Sequence, residues 1–145
     1  MVAPKTACSP VDPFARFALI PIENLLPHEQ VVPKRIEEVL EEITVKSQVV
    51  VPIVVAEGSW VVLDGHHRVE ALRRLGAKRV PAWLVDYDNE AVSVEKWPDA
   101  KIKGLPTKKA IVTRAKKGVL YPPKTSRHKI SKRLPHRVTP LSELF

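Results

Sequence analysis

The sequence is poor in the features that define several large classes of protein. It has a single cysteine, Cys8, so no internal disulfide can form and no cysteine pair can hold a metal. No apolar run approaches the ~20 residues of a membrane span, and the first residues lack the basic-then-apolar pattern of a secretion signal. We therefore expect no membrane segment and a cytoplasmic location.

Glycine is also scarce, with five residues in a chain of 145. The dinucleotide pattern G-x-G-x-x-G and the Walker pattern G-x-x-x-x-G-K-[ST] are both absent. A bound phosphate must therefore be held without a glycine-rich loop. The length and the apolar content of 44% suit one domain with one hydrophobic core.

Acidic residues are nearly missing from the last third of the chain. Residues 96–137 contain fourteen Lys or Arg and one acid, Asp99, whereas residues 1–95 contain ten Lys or Arg and fourteen Asp or Glu. A basic segment of this kind either binds nucleic acid or forms a basic wall over a site for an anionic small molecule. The composition leaves both possibilities open.

The most informative stretch predicts a strand, a turn and a helix at residues 60–76. The apolar run at residues 60–63 predicts a buried strand, and apolar side chains then recur at Val69, Leu72 and Leu75. The predicted helix ends at a glycine, as many helices do. Such a corner directs the free N–H groups and the positive dipole end of the helix at one point in space.

The turn and first helical residues carry the motif Asp-Gly-His-His-Arg at residues 64–68. Cationic side chains gain nothing from the positive end of a helix, so their crowding here indicates that an anion fills the site. An ordinary corner with exposed polar residues is the alternative. The candidate residues for binding phosphate are Gly65, His66, His67 and Arg68.

A second candidate, Glu29, lies in a loop after a predicted strand at residues 14–22. The loop is followed by an amphipathic helix that begins near Pro33, and prolines on both sides restrict its backbone. Glu29 stands beside His28. The residues alone are compatible with an ordinary surface glutamate as well as with a functional carboxylate.

The last informative stretch is Tyr-Pro-Pro-Lys-Thr-Ser-Arg-His, residues 121–128. Two hydroxyls, a guanidinium and an imidazole within four residues suit an oxyanion, although a solvated basic loop is equally compatible. The candidates are Thr125, Ser126, Arg127 and His128. We expect a domain over residues 14–128, a flexible leader at 1–13, and a basic, largely disordered tail at 129–145 whose final Leu-Phe could dock.

Together these segments resemble the ParB/sulfiredoxin-like superfamily. Asp-Gly-His-His-Arg followed by Val-Glu-Ala-Leu-Arg-Arg-Leu-Gly is similar to the superfamily signature that holds nucleotide phosphates. Pro-His-Glu before it and Thr-Ser-Arg-His after it resemble the free L-serine kinase branch. The resemblance implies an α+β fold, in which helices pack around a small mixed sheet in one compact domain.

The resemblance also implies an activity and roles. A free serine kinase transfers a phosphoryl group from ADP or ATP, with Mg²⁺, to L-serine and gives O-phospho-L-serine. Residues 65–68 would hold the nucleotide phosphates, and residues 125–128 would bind the substrate. The resemblance implies catalytic roles for Glu29, Asp64 and His67, with Asp64 also a possible Mg²⁺ ligand.

Three alternatives would use the same phosphate-binding corner. A ParB-type DNA-binding protein or nucleotide switch could grip DNA through the basic C-terminal third, but prolines after Lys117 leave no room for a helix-turn-helix. A nuclease needs a carboxylate cluster for metal ions, and Asp64 and Glu29 are the candidates. A sulfiredoxin-type reductase needs a cysteine where this chain has His66.

Overall fold

The structure is a computed structural model that describes residues 14–145. The expected flexible leader, residues 1–13, and Cys8 within it lie outside the described residues. Within residues 14–145, no helix combines the length and the apolar character that crossing a membrane requires. In chain order the elements are β1 (Ala15–Pro21), α1 (Pro33–Lys46), β2 (Gln48–Val49), β3 (Ile53–Ala56), β4 (Val62–Asp64), α2 (His66–Arg74), β5 (Arg79–Val85), β6 (Val92–Lys96), α3 (Lys108–Lys117), β7 (Ser126–Ile130) and β8 (Thr139–Pro140).

A four-stranded mixed sheet in the order β1-β5-β3-β4 forms the centre of the fold. β5 runs antiparallel to β1 and parallel to β3, while β3 and β4 form an antiparallel hairpin. The parallel pair requires a crossover, which α2 supplies. The expected α+β class with a small mixed sheet is confirmed.

The core lies on both faces of this sheet. Alternate residues of β3 point to opposite faces, so Ile53 joins one buried cluster and Val54 joins the other. The first cluster packs beneath α1 and α2 and includes Leu72, whereas the second packs against α3 and includes Ile111. β3 is therefore buried on both faces, which explains its continuous run of apolar residues.

The local signals in the sequence predict most of the elements correctly. The predicted strand–turn–helix at residues 60–76, which we call the central motif, is present, and its strand pairs with β3 in a hairpin. α3 begins after Thr107, whose hydroxyl accepts from the Ala110 N–H at 3.1 Å, and ends at Gly118 with φ of 73°. The apolar run at residues 48–55, however, is divided between two strands, because Gln48 and Val49 pair with β8.

The C-terminal segment corrects the prediction of a largely disordered tail. β7 runs through the expected boundary at residue 128, and β8 adds a second pairing. Leu144 is completely buried in the cluster beneath α1 and α2, and its carbonyl accepts from the N–H groups of Lys78 and Arg79. The expected docking of the final Leu-Phe is realised by Leu144, while Phe145 stays half exposed.

Two short contacts outside the named strands position the loop that contains Glu29. Leu26 forms an isolated parallel bridge with Val61, and Glu29 forms another with Tyr121. The first contact ties the loop to the start of the central motif, and the second ties it to residues 121–128, which we call the closing segment. The three segments singled out in the sequence are thereby brought to one place.

Candidate active site

The three segments line one cleft with a volume of about 600 Å³. One wall is the loop after β1 together with the first turn of α1, and the second is the turn between β4 and α2. The third wall is the closing segment, with Trp97 beside it. The polar lining residues include His28, Glu29, Lys34, Arg35, Asp64, His66, His67, Lys124, Ser126, Arg127 and His128.

The carboxylate of Glu29 is held by the backbone of the closing segment. Its Oε1 accepts from the N–H of Thr125 at 3.2 Å, the N–H of Ser126 at 2.9 Å and the hydroxyl of Ser126 at 3.0 Å. Its Oε2 accepts from the N–H of Lys124 at 3.2 Å. Burial raises the pKa of Glu29 above its ordinary value, and these four donors oppose that rise because they stabilise the ionised form.

The loop of Glu29 and the closing segment are also joined through their backbones. The Tyr121 N–H donates to the carbonyl of His28 at 2.9 Å, and the Gln30 N–H donates to the carbonyl of Tyr121 at 2.8 Å. Lys124 adopts φ of 58°, which turns its N–H and the two that follow toward one carboxylate. The position of Glu29 is therefore fixed by contacts across more than ninety residues of sequence.

His28 lines the cleft but was not among the site residues predicted from the sequence, where it stood out only as the neighbour of Glu29. Its side chain is 1% exposed, and its Nδ1–H donates to the Val62 carbonyl at 2.8 Å. Its Nε2 lies 3.0 Å from the hydroxyl of Ser126. Burial lowers the pKa of His28 to about 4, so the ring is neutral at physiological pH. Its place between two restrictive prolines was the signal available in the sequence.

The two histidines of the central motif act as hydrogen-bond acceptors. The Nε2 of His66 accepts from the His28 N–H at 3.2 Å, and the Nε2 of His67 accepts from the Val32 N–H at 3.0 Å. Burial lowers the pKa of both rings; nearby histidines add to the effect at His66 and Arg35 adds to it at His67. The expected crowding of cations is therefore wrong for these two residues, which are neutral and shape the loop of Glu29.

Gly65 precedes α2 in a backbone conformation that residues with a side chain rarely adopt. Its φ is 110°, and a Cβ at this position would clash with Ile53 Cγ2 and lie 2.8 Å from Ile53 Cβ. No side chain caps the helix at this end. The backbone of the turn can therefore pack tightly on β3 while the first turn of α2 faces the cleft.

Arg68 faces a neighbouring pocket of about 340 Å³ instead of the cleft itself. Its Nη1 donates to the Val51 carbonyl at 2.8 Å, and its Nη2 lies 3.6 Å from Asp64 Oδ2. The pocket and the cleft share Arg35, Asp64, Gly65 and His67 in their linings. A ligand that spans both would thus pass over the N-terminus of α2.

The four candidate residues of the closing segment differ in where they point. Ser126, Arg127 and His128 line the cleft, but Thr125 does not, because its hydroxyl donates to the Pro122 carbonyl at 2.7 Å. Arg127 stacks over the ring of Trp97 at 4.5 Å. The composition of the segment gave no means of separating Thr125 from its neighbours, since that depends on the turn after Pro122.

Two further interactions shape the part of the cleft near β7. Arg127 Nη2 pairs with Glu95 Oε2 at 3.0 Å, which holds the guanidinium against Trp97. His128 Nε2 and the Tyr87 hydroxyl are 2.7 Å apart, and burial lowers the pKa of His128 to about 3. Trp97 was not selected from the sequence, where a lone aromatic residue after a strand is more often a packing residue.

Within residues 14–145, no group of three or more His, Cys, Asp or Glu side chains is arranged to hold a metal ion. The Asp64 side chain is 68% exposed at the junction of the two pockets. Mg²⁺ is commonly held by one or two carboxylates together with phosphate oxygens and water. Asp64 fits the part of such a single protein ligand.

Comparison with known families and proteins gives consistent matches. The model of the ParB N-terminal domain family matches residues 15–96. An ATP-dependent L-serine kinase of Staphylothermus marinus is 40% identical over 91 residues, which are 60% of this chain and 36% of the relative. An ADP-dependent L-serine kinase of Thermococcus kodakarensis is 35% identical over 85 residues, which are 56% of this chain and 35% of the relative. The chain thus spans little more than a third of the length of these curated relatives.

Solved structures share the fold over a larger part of the chain. A free serine kinase in complex with AMP has a TM-score of 0.77 at 21% identity, with 91% of this chain and 94% of that chain covered. A conserved hypothetical protein from Pyrococcus furiosus has a TM-score of 0.75 at 20% identity, with 89% and 97% covered. At these identities the likeness concerns the fold alone.

Proposed function

The chain belongs to the family of ParB N-terminal domains, and we propose that it is a free L-serine kinase that uses ADP or ATP as phosphoryl donor. The observation that carries the proposal is the Glu29 carboxylate, held by the donors of residues 124–126 in the cleft that the N-terminal turn of α2 also lines. The names of the two L-serine kinases among the relatives support the choice of substrate.

Glu29 is the proposed base. In phosphoryl transfer the hydroxyl oxygen of serine bonds to phosphorus, the bond from phosphorus to the leaving nucleotide breaks, and the hydroxyl proton must be accepted. Burial raises the pKa of Glu29, which makes its carboxylate a better proton acceptor. The fixed donors around it hold the carboxylate in one orientation.

The N-terminal turn of α2 is the proposed site for nucleotide phosphates. Gly65 allows close approach of the backbone, and the positive end of the helix dipole favours an anion there. His66 and His67 contribute as neutral rings that position the loop. Arg35, which lines both pockets, and Arg68, which lines the smaller one, supply positive charge beside this turn. Mg²⁺ bound with the nucleotide would neutralise phosphate charge, and Asp64 is its proposed protein ligand.

Arg127 and Lys34 are the proposed partners of the serine carboxylate. Both are cationic residues that line the cleft, and Arg127 is held in place by Trp97 and Glu95. An Arg fork matches a carboxylate with two parallel hydrogen bonds. Thr125 acts in this proposal through its backbone N–H, which donates to Glu29, and not through its hydroxyl.

The test is an end-point assay of the purified chain with Mg²⁺, L-serine and either ADP or ATP. Phosphoserine with AMP would identify ADP as the donor, and phosphoserine with ADP would identify ATP. D-serine and L-alanine serve as controls for stereochemistry and for the hydroxyl. No phosphoserine with either donor, at moderate and at high temperature, would contradict the proposed reaction.

A further inference from the structure

The side chains of Glu29, Ser126 and His28 make two contacts of hydrogen-bond length, but only one hydrogen is available for the two. Ser126 Oγ lies 3.0 Å from Glu29 Oε1 and 3.0 Å from His28 Nε2. The carbonyl of Val62 can only accept, so the Nδ1 of His28 must carry the hydrogen of the neutral ring. The Nε2 of His28 and the ionised Glu29 are then both acceptors. The one hydroxyl hydrogen of Ser126 can serve only one of them.

This shortage lies in the interior, where it has an energetic consequence. His28 is 1% exposed and Ser126 is 8% exposed. A buried acceptor without a donor is destabilising, because it gives up its hydrogen bonds to water and gains none in the protein. Protonation of Glu29 would remove that cost, because a weaker acceptor at Oε1 frees the Ser126 hydroxyl to donate to His28 Nε2, while two backbone N–H groups still donate to Oε1.

The two oxygens of Glu29 are unequally occupied. Among the described residues, Oε1 accepts three hydrogen bonds, from the N–H of Thr125 and from the N–H and hydroxyl of Ser126. Oε2 accepts one, from the N–H of Lys124. Oε2 therefore keeps the lone pair that an incoming proton can use.

We propose that Ser126 and His28 form a hydrogen-bond switch that helps Glu29 to accept a proton from the substrate hydroxyl. While Glu29 is ionised, the Ser126 hydroxyl donates to Oε1. When a proton binds to Oε2, Oε1 becomes a weaker acceptor, and the Ser126 hydroxyl turns to donate to His28 Nε2. The proton stays on Glu29, and Ser126 keeps its own hydrogen. The source of the proton rests on the proposed kinase function.

The surroundings favour such a switch because they direct the added proton to Glu29 and keep His28 neutral. Burial raises the pKa of Glu29 and lowers that of His28 to about 4, so the carboxylate binds the proton in preference to the ring. The ring of His66 lies 4.6 Å from that of His28, and the ring of His128 lies 5.5 Å from it. Burial keeps both neighbouring rings neutral by lowering their pKa values. Ser126 and His28 act through Glu29, as positioning residues.

Nuclear magnetic resonance of the full chain tests the switch without any turnover. The Nε2 shift of His28 and the carboxyl carbon shift of Glu29 are followed over the acid pH range in protein labelled with ¹⁵N and ¹³C. We expect both signals to move through one midpoint, since His28 gains a hydrogen bond when Glu29 is protonated. Separate midpoints in the unchanged protein would overturn the proposal.

Two variants and an internal control test whether Ser126 couples the protonation of Glu29 to the signal of His28. Ser126→Ala keeps the N–H bond to Glu29 but removes the hydroxyl, so the midpoints of His28 and Glu29 should separate by on the order of one pH unit. In Glu29→Gln, the change of the His28 Nε2 shift at the shared midpoint should disappear. His67 accepts from Val32 and does not contact Ser126, so its signal should be unchanged in Ser126→Ala. A shared midpoint that survives in Ser126→Ala would also overturn the switch.

The shared midpoint tests the hydrogen-bond switch separately from the proposed kinase function. A protein without kinase activity can still show the shared midpoint, and then only the source of the proton is lost. In an active enzyme, Ser126→Ala should lower kcat and shift the acid limb of its pH profile while the KM for nucleotide stays within twofold. An unchanged acid limb in the folded variant would contradict the switch even if phosphoserine is formed.

Discussion

Glu29 and Ser126 are joined by two hydrogen bonds although they lie 97 residues apart in the sequence. Both end on Oε1 of the glutamate, from the serine N–H at 2.9 Å and from its hydroxyl at 3.0 Å. The loop after β1 and the closing segment therefore behave as one structural unit. A change in either segment should alter the position of the Glu29 carboxylate, which we propose as the base.

Replacement of Gly65 by alanine should destabilise the fold more than the same change at another left-handed glycine. Gly58 has φ of 95° with open space around its Cβ direction, whereas Gly65 has φ of 110° and a clash with Ile53. We expect Gly58→Ala to cost about 1 kcal/mol of unfolding free energy from backbone strain alone. Gly65→Ala should cost about 2 kcal/mol or more beyond that, because β3 must move.

Urea denaturation of the two glycine variants measures this difference. Titration with ADP should also show weaker binding by Gly65→Ala and unchanged binding by Gly58→Ala. Equal stability of the two variants would show that the contact with Ile53 is relieved without cost, and would contradict the tight packing of the turn.

The unfolding free energy should fall as the pH is lowered from about 7 to about 4. The ordinary pKa of histidine is 6.5, whereas burial lowers the pKa of His28 to about 4 and that of His128 to about 3. In this window the unfolded chain binds protons that the folded chain cannot bind, so acid favours unfolding. Each buried histidine should contribute on the order of 1 kcal/mol per pH unit.

Above pH 7 both states hold these rings neutral, so this contribution becomes independent of pH. The raised pKa of Glu29 acts in the opposite direction near the ordinary carboxyl range, where acid stabilises the folded form. His28→Gln should flatten the slope between pH 6.5 and 4, as measured by urea denaturation at several pH values. Exposed His136 is the matched control, and an equal flattening in His136→Gln would contradict the assignment.

Arg127→Lys should raise the KM for L-serine several-fold and leave kcat nearly unchanged. Lysine keeps the positive charge but cannot form the paired hydrogen bonds of a guanidinium or stack in the same way on Trp97. Lys129→Ala is the control, because Lys129 also pairs with Glu95, at 3.1 Å, but does not line the cleft. An equal rise in KM in both variants would indicate that Glu95 and general charge matter, not the position of Arg127.

The parts of the fold that depend on local signals could be predicted from the sequence. The corner before α2 was predicted because an apolar run, a turn residue and a helical period follow one another within residues 60–76. The ends of α3 are equally local, because Thr107 and Gly118 are residue types that commonly cap a helix at its start and its end. These signals lie within a few residues of the structure that they determine.

The parts that depend on distant partners could not be predicted in the same way. Gln48 and Val49 separate from the rest of their apolar run because β8, near the C-terminus, pairs with them. A proline such as Pro81 favours an edge strand, yet β5 lies inside the sheet. This is possible because the ladder with β3 begins only at Ala82. The proline thus lies outside that ladder.

In the site, too, some properties follow from the residue types, whereas others depend on contacts that only the fold provides. The motif at residues 64–68 and Glu29 were found by type and position. The neutral state of His66 and His67 depends on the N–H groups of His28 and Val32, which the fold brings to them. No spacing within the motif carries that information, so the interpretation as a cluster of cations failed.

The most direct test of the account compares Glu29→Gln with Glu23→Gln in phosphoserine formation and in nucleotide binding. Glu23 is an exposed glutamate of the short 3-10 helix Ile22–Asn24 that precedes the loop, so it controls for loss of a nearby negative charge. If Glu29 is the base, Glu29→Gln should lose at least about a hundredfold in rate and keep its affinity for ADP within a few fold. Glu23→Gln should retain the rate of the unchanged protein. A Glu29→Gln variant that folds, binds ADP and forms phosphoserine at a similar rate would contradict the account.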